Sequence, residues 1–157
     1  LYVKLFEIIE SGDKKKCEEI SSVEEDEKGK SITCYALTIN SREECKETIV
    51  DDGIKQDLKP EINSWEEFCD IYFDLLENKQ NKDFDGLEQE TKDEFFLFKA
   101  LKTKDSMFCE KISLDSNKPF PEHKRMRCRI LSGDPEAQSE DFCGRIVEYC
   151  YNQNNLY

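Results

Sequence analysis

The chain has 157 residues, of which 38% are charged and 37% are hydrophobic, and its formal net charge is −13. This length suits one domain with a modest core, and the acidic charge argues against nucleic acids and anionic membrane surfaces as partners. A basic protein or a metal ion is compatible with it. No run of about 18 apolar residues occurs, so we expect no transmembrane segment in this chain.

The eight cysteines are the most informative feature of the composition. None of the gaps between them is short enough for the close Cys pairs of a zinc site or for a redox C-x-x-C motif. Structural disulfides do not persist in a reducing compartment. The even count therefore predicts disulfides and an extracytoplasmic location, whether secreted, periplasmic or at the cell surface. The cysteines are Cys17, Cys34, Cys45, Cys69, Cys109, Cys128, Cys143 and Cys150.

Apolar residues recur at helical spacing along the chain, and convincing two-residue alternation is absent. The predicted helices are Tyr2 to Ile9, Lys30 to Ile39, Ser64 to Glu77, Thr91 to Leu101 and Glu122 to Leu131. Capping-box spacing occurs at Ser41 with Glu44, Ser64 with Glu67, and Thr91 with Glu94. These signals predict an all-α fold of disulfide-stapled helical hairpins.

A short pattern recurs, in which a capping residue is followed four positions later by Cys and then by Ile. It occurs at Asp13, Cys17 and Ile20; at Ser41, Cys45 and Ile49; at Asp105, Cys109 and Ile112; and at Ser139, Cys143 and Ile146. The segment Leu5 to Ser21 also resembles Leu97 to Ser113. We therefore expect one helical domain, 1–157, with an internal duplication of about 1–78 and 91–157 and an acidic interhelical loop at 79–90.

The stretch K-D-S-M-F-C-E-K-I-S, followed by R-C-R-I-L-S-G-D-P, resembles Cys-containing helical-hairpin repeats of uncharacterised secreted proteins and lipoproteins of bacteria and archaea. The resemblance covers about half of the chain, in Asp13–Ile39 and Asp105–Asp134. It implies an exported α-helical scaffold and no particular activity.

Pairing each cysteine with the next one across an interhelical loop gives Cys17–Cys34, Cys45–Cys69 and Cys109–Cys128. The same order leaves Cys143 with Cys150, which a continuous helix would hold about 10.5 Å apart, beyond the reach of a disulfide. Either that helix breaks near Val147 or Cys150 pairs elsewhere. Pairing Cys34 with Cys45 and Cys128 with Cys143 is also geometrically reasonable, so the sequence leaves the connectivity open.

The segment Asn81-Lys82-Asp83-Phe84-Asp85-Gly86 has the start of an EF-hand calcium loop, with oxygen ligands at positions 1, 3 and 5 and Gly at position 6. Position 12 is Lys92, where a bidentate Glu belongs, so Glu90 or Glu94 would have to replace it with altered geometry. The alternative is an ordinary polar interhelical loop. The candidate calcium ligands are Asn81, Asp83, Asp85 and Glu90.

Residues for catalysis do not stand out. The single histidine, His123, has no identifiable nucleophile or carboxylate partner in sequence, and no Gly-rich phosphate loop occurs. We therefore expect no enzyme and no obligatory cofactor. The function expected first is an extracytoplasmic scaffold that binds another protein within a cell-surface assembly. Alternatives are a calcium-dependent adhesion or stability module, and a secreted enzyme inhibitor or enzyme.

Overall fold

The computed structural model describes residues 7–8, 10–17, 30–50, 52, 55, 58–114 and 122–137. Within these ranges the chain is helical and no strand occurs, which confirms the all-α prediction. The α-helices are α1 (Lys30–Thr38), α2 (Arg42–Glu47), α3 (Trp65–Leu76), α4 (Lys82–Gly86), α5 (Gln89–Thr103) and α6 (His123–Leu131). Two 3₁₀ helices, Lys14–Cys17 and Ser106–Lys111, precede α1 and follow α5.

Two of the three capping boxes form. The hydroxyls of Ser41 and Ser64 accept hydrogen bonds from the backbone amides three residues later, at 3.0 and 3.1 Å. The carboxylates of Glu44 and Glu67 reach back to the amides that precede each cap, at 2.8 and 2.7 Å. Because these groups satisfy the free amides of a first helical turn, they define where α2 and α3 begin.

The third box, at Thr91, is wrong because α5 begins earlier, at Gln89. Thr91 lies inside the helix and is buried, and its hydroxyl donates to the Glu61 carboxylate instead of capping. The helix also continues past the predicted end at Leu101 to Thr103. The spacing of Thr91 and Glu94 is compatible with a cap, but the Thr91 hydroxyl instead bonds Glu61, thirty residues away in the sequence.

Three disulfides cross-link helical segments of the described chain: Cys17–Cys34, Cys45–Cys69 and Cys109–Cys128. Their Cα–Cα distances are 5.6, 5.8 and 5.6 Å, within the ordinary range for a disulfide. The alternative pairing of Cys34 with Cys45 is wrong, and so is that of Cys128 with Cys143, because Cys34 and Cys128 are bonded to other partners. Cys143 and Cys150 lie outside the described residues, as does most of the predicted helix Tyr2 to Ile9.

The chain divides into two compact units between Phe95 and Phe96, inside α5. The core of the first unit is aromatic. Trp65 stacks on Phe68 with 4.9 Å between ring centroids, and Phe68 stacks on Tyr72 and Phe95 at 5.8 and 5.5 Å. In α3, which is 12 residues long, the aromatic residues recur at helical spacing and therefore share one buried face.

The second unit has a smaller core around the Cys109–Cys128 disulfide. Buried Ala100 and Ile112 pack with this disulfide, and the partly buried Phe96, Leu97 and Phe108 cover it. Lys99 is buried beside it, with its ammonium 4.1 Å from the centroid of the Phe108 ring. Burial lowers the pKa of Lys99.

The predicted duplication has a local counterpart in the two 3₁₀ segments. Asp13 and Asp105 accept hydrogen bonds from the amides two residues later, at 3.2 and 3.0 Å, and a disulfide cysteine lies four residues after each Asp. The hydroxyls of Thr38 and Ser132 lie 3.7 and 3.8 Å from the sulfurs of Cys17 and Cys109. The two disulfide modules, one around Cys17–Cys34 and the other around Cys109–Cys128, thus share the Asp cap, the Asp-to-Cys spacing and the hydroxyl-to-sulfur contact. A duplication of complete halves remains a prediction.

Candidate protein-binding groove

The predicted calcium ligands do not form a loop in the structure. Residues Lys82–Gly86 form the short helix α4, and Asn81 is its N-cap, with its side-chain oxygen accepting from the Phe84 amide at 2.9 Å. Asp83 and Asp85 are exposed on this helix, where two-residue spacing turns their side chains about 200° apart. Glu90 lies in the first turn of α5.

The prediction of a loop spanning all of 79–90 is therefore wrong, because two helix starts fall within it. In the described ranges, no group of three or more His, Cys, Asp or Glu side chains is close enough to hold a metal ion. Asn81 also donates from its side-chain nitrogen to Asp74 at 2.7 Å. Of the residues with calcium-like spacing, Asn81 is used here for helix capping and for a hydrogen bond to Asp74.

In α6, the most basic of the described elements, Arg125 and Arg129 are engaged by carboxylates and a backbone carbonyl. Arg129 bonds Asp134 at 2.7 Å and lies 4.0 Å from Glu110, and Arg125 donates to the Ile112 carbonyl at 2.5 Å. The hydrogen bond from Arg129 holds the pKa of Asp134 below its usual value. His123 begins α6.

The groove begins where α2 ends. Thr48, Ile49 and Val50 are consecutive β-branched residues, which disfavour a helix. Thr48 closes the last turn, with its amide bonded to the Glu44 and Cys45 carbonyls, and adopts extended dihedral angles. The chain returns through Ile62, Asn63 and the extended N-cap Ser64 to start α3.

Two links hold these segments beside each other. The Cys45–Cys69 disulfide joins α2 to α3, and the indole nitrogen of Trp65 donates to the Cys45 carbonyl at 2.8 Å. Trp65 is buried, so this hydrogen bond is shielded from water. The segments 48–50 and 62–64 therefore lie beside a covalent and hydrogen-bonded connection between α2 and α3.

Together the two segments line a surface groove of about 440 Å³. Its apolar lining includes Val50, Ile62 and Trp65, which are buried, and Leu58, which is partly buried. Ile49 lies at the same groove and is 89% exposed. Polar residues also line the groove, among them Thr48, Asn63 and Ser64, so Ile49 is an exposed aliphatic side chain at a concave site of mixed polarity.

The charged residues that line the groove differ in whether they form ion pairs. Lys46 lies 2.7 Å from Asp70, and Lys55 lies 3.2 Å from Asp52, so both lysines have carboxylate partners. Glu66, in the first turn of α3, also lines the groove and is exposed. Glu66 makes no ion pair within the described part of the chain.

The sequence pattern did not reveal Ile49 as a surface residue. The recurrent cap–Cys–Ile pattern includes Ile49, and Ile112 of another copy of this pattern is 2% exposed. The helix α2 ends at Glu47, two residues before Ile49. The signal that could have found it is the run of three β-branched residues, which predicts an early end of α2.

The disulfides indicate an oxidising, extracytoplasmic environment. Among the helices that the structure describes, none combines the length and the hydropathy required to cross a membrane. The chain matches no protein-family model, no curated protein and no solved structure. The resemblance to Cys-containing helical-hairpin repeats therefore stays a prediction.

Proposed function

We propose that this protein is an extracytoplasmic helical scaffold that binds another protein, in a secreted or cell-surface assembly, through the groove beside Ile49. The observation that carries the proposal is that Ile49, which is 89% exposed, lies at a groove of about 440 Å³ with a mixed polar and apolar lining. Covering exposed aliphatic surface beside a concave site contributes favourable free energy to the binding of a partner.

The support beneath the groove favours binding over a purely structural role. The Cys45–Cys69 disulfide and the Trp65–Cys45 hydrogen bond hold the groove in one shape before a partner arrives. A preorganised surface loses less conformational entropy on binding than a flexible one. The net charge of −13 adds long-range attraction for a basic partner.

A capture experiment with matched surface variants tests this function. The oxidised protein is immobilised and exposed to native extracellular and cell-surface fractions, and bound proteins are identified and then titrated in purified form. We expect Ile49→Asp to weaken binding of the purified partner at least about tenfold, since it places a charge where apolar surface is buried. Met107→Asp is the control, because Met107 is also well exposed, at 71%, and lies in the other compact unit.

Equal binding by wild type, Ile49→Asp and Met107→Asp would contradict the groove as the binding surface. If no protein binds the wild type more than it binds a reduced and alkylated sample, the scaffold function itself is wrong. Circular dichroism of each variant verifies that helix content is unchanged, as expected for substitutions of exposed residues.

A further inference from the structure

Met107 and Met126 are the two methionines of the chain, and the structure places them in different surroundings. Met107 lies in the 3₁₀ helix Ser106–Lys111 and is 71% exposed. Met126 lies in α6 and is half-buried. The susceptibility of a sulfur side chain to oxidation follows its exposure to solvent, so the two thioethers should react at different rates.

Lys15 has the same position in the Cys17–Cys34 module as Met107 has in the Cys109–Cys128 module. Each lies two residues after a capping Asp and two residues before a disulfide cysteine, and the amide of each donates to that Asp, at 3.2 and 3.0 Å. Both side chains are exposed. Because the same capped turn forms with a charged lysine at this position, a polar side chain is compatible with the turn.

The contacts that hold the turn do not use the Met107 thioether. The Asp105 carboxylate accepts from the Met107 backbone amide, and Cys109 makes the disulfide of this module. The next residue, Phe108, is partly buried and packs against the core of its unit. Oxidation turns an apolar methionine into a polar sulfoxide, which disrupts a core when the side chain is buried. At Met107 the sulfoxide would be solvated by water instead.

We propose that Met107 is a surface oxidation site, at which a hydroperoxide converts the thioether to a sulfoxide while the protein stays folded. The sulfur is oxidised by two electrons as the O–O bond of the hydroperoxide breaks. One oxygen forms the new S–O bond, and the other leaves as water, or as an alcohol when the oxidant is an organic hydroperoxide. Methionine sulfoxide reductases reverse this reaction, so the polarity of the surface at Met107 follows the supply of oxidant.

Two variants that each retain one methionine test this site in the intact, disulfide-bonded protein, with hydrogen peroxide as the probe. Met126→Leu retains Met107, and Met107→Leu retains Met126. Leucine replaces methionine with little change in volume, so both variants should fold. Peptide mass spectrometry over a time course measures the sulfoxide at each position, and circular dichroism and urea unfolding measure the fold.

We expect sulfoxide to form about fivefold faster at Met107 than at Met126 in the folded wild type, and at equal rates in protein unfolded by urea. Met126→Leu should react as fast as Met107 of the wild type, whereas Met107→Leu should lose the fast reaction. The helix content and urea midpoint of Met126→Leu should be the same before and after oxidation. Treatment with the methionine sulfoxide reductases should then restore the thioether.

Equal rates at the two methionines of the folded protein, or a faster reaction at Met126, would overturn the proposal. A rate difference that persists in urea would also overturn it, because neighbouring sequence and not exposure would then set the rates. Loss of helix content on oxidation of Met126→Leu would show that the fold needs the thioether, and resistance to the reductases would show that the reaction is not reversible on the folded protein. Either result contradicts the site as described. None of these measurements involves Ile49 or a bound partner, so their outcome is independent of the proposed function.

Discussion

Arg42 shows how single residues position the helices that support the groove. Its guanidinium lies 3.1 Å from Asp70 and 2.5 Å from Asp74, so it joins the start of α2 to the middle of α3. Desolvation raises the pKa of Asp74, but the hydrogen bonds from Arg42 and Asn81 outweigh it, and the net pKa is lowered. A carboxylate with a lowered folded-state pKa stabilises the fold above its unfolded pKa, near 3.8, and loses this contribution as the pH falls through the folded value.

We expect Arg42→Gln to lower the free energy of unfolding by about 1 kcal/mol at pH 7, after allowance for partial solvent screening. The difference from wild type should shrink as the pH falls through the lowered pKa of Asp74, because the carboxylate that Arg42 binds is then protonated. Urea unfolding between pH 7 and pH 2 measures both effects. Lys46→Gln is the control, because its pair with Asp70 is more exposed. A difference that is the same at pH 7 and pH 2 would contradict the role assigned to Asp74.

At the scale of elements, the two disulfide modules reach the same geometry with different residues. Gly12 and Lys104 each precede a capping Asp and have positive φ angles of 66° and 54°. Glycine adopts this left-handed conformation without a steric penalty, whereas a lysine there is disfavoured by its Cβ. No atom lies within 4 Å of a Cβ built on Gly12, so the backbone conformation alone decides the cost.

Replacing Lys104 by Gly and replacing Gly12 by Lys should therefore change the stability of the fold in opposite directions. Lys104→Gly is expected to raise the free energy of unfolding by about 0.5–1 kcal/mol, and Gly12→Lys to lower it by about 1 kcal/mol. Chemical denaturation of both variants provides the measurement. The same sign of change at both sites would show that the turn conformations differ in solution.

For the molecule as a whole, disulfides compensate for a limited apolar content. Cys17–Cys34 and Cys45–Cys69 lie in one compact unit, and Cys109–Cys128 lies in the other. The bridges span 17, 24 and 19 residues. Because loop-closure entropy grows only with the logarithm of loop length, bridges of such similar span should stabilise the chain to similar degrees.

Replacing Cys45 and Cys69 together by Ala should lower the free energy of unfolding by about 3 kcal/mol, and the matched Cys17/Cys34 pair should cost nearly as much. Urea titrations of the oxidised variants give these values. Losses below about 1 kcal/mol would mean that the unfolded chain without the bridge is already compact. Loss of Cys45–Cys69 should also weaken groove binding, since it supports the groove, whereas loss of Cys109–Cys128 should not.

Local physical chemistry made much of the fold predictable. The serine caps at Ser41 and Ser64 satisfy backbone groups within four residues, so their effect is visible in the sequence. The regular placement of apolar residues along α3 likewise reflects one buried helical face. The three described disulfides join cysteines that are neighbours in the order of cysteines along the chain, although geometry alone left other pairings possible.

The sequence by itself determined the helical class, the capped starts of α2 and α3 and the oxidising compartment. The tertiary structure decided how ambiguous local patterns were used. Thr91 has cap spacing but bonds Glu61, and Asn81 has calcium-loop spacing but caps α4 and bonds Asp74. Ile49 fits a helical core pattern but lies exposed at a groove formed with residues of the returning chain. Thr91 bonds a residue thirty positions away, Asn81 also bonds Asp74 of the preceding helix, and α2 ends before Ile49. Hydrogen bonding and burial depend on such three-dimensional neighbours.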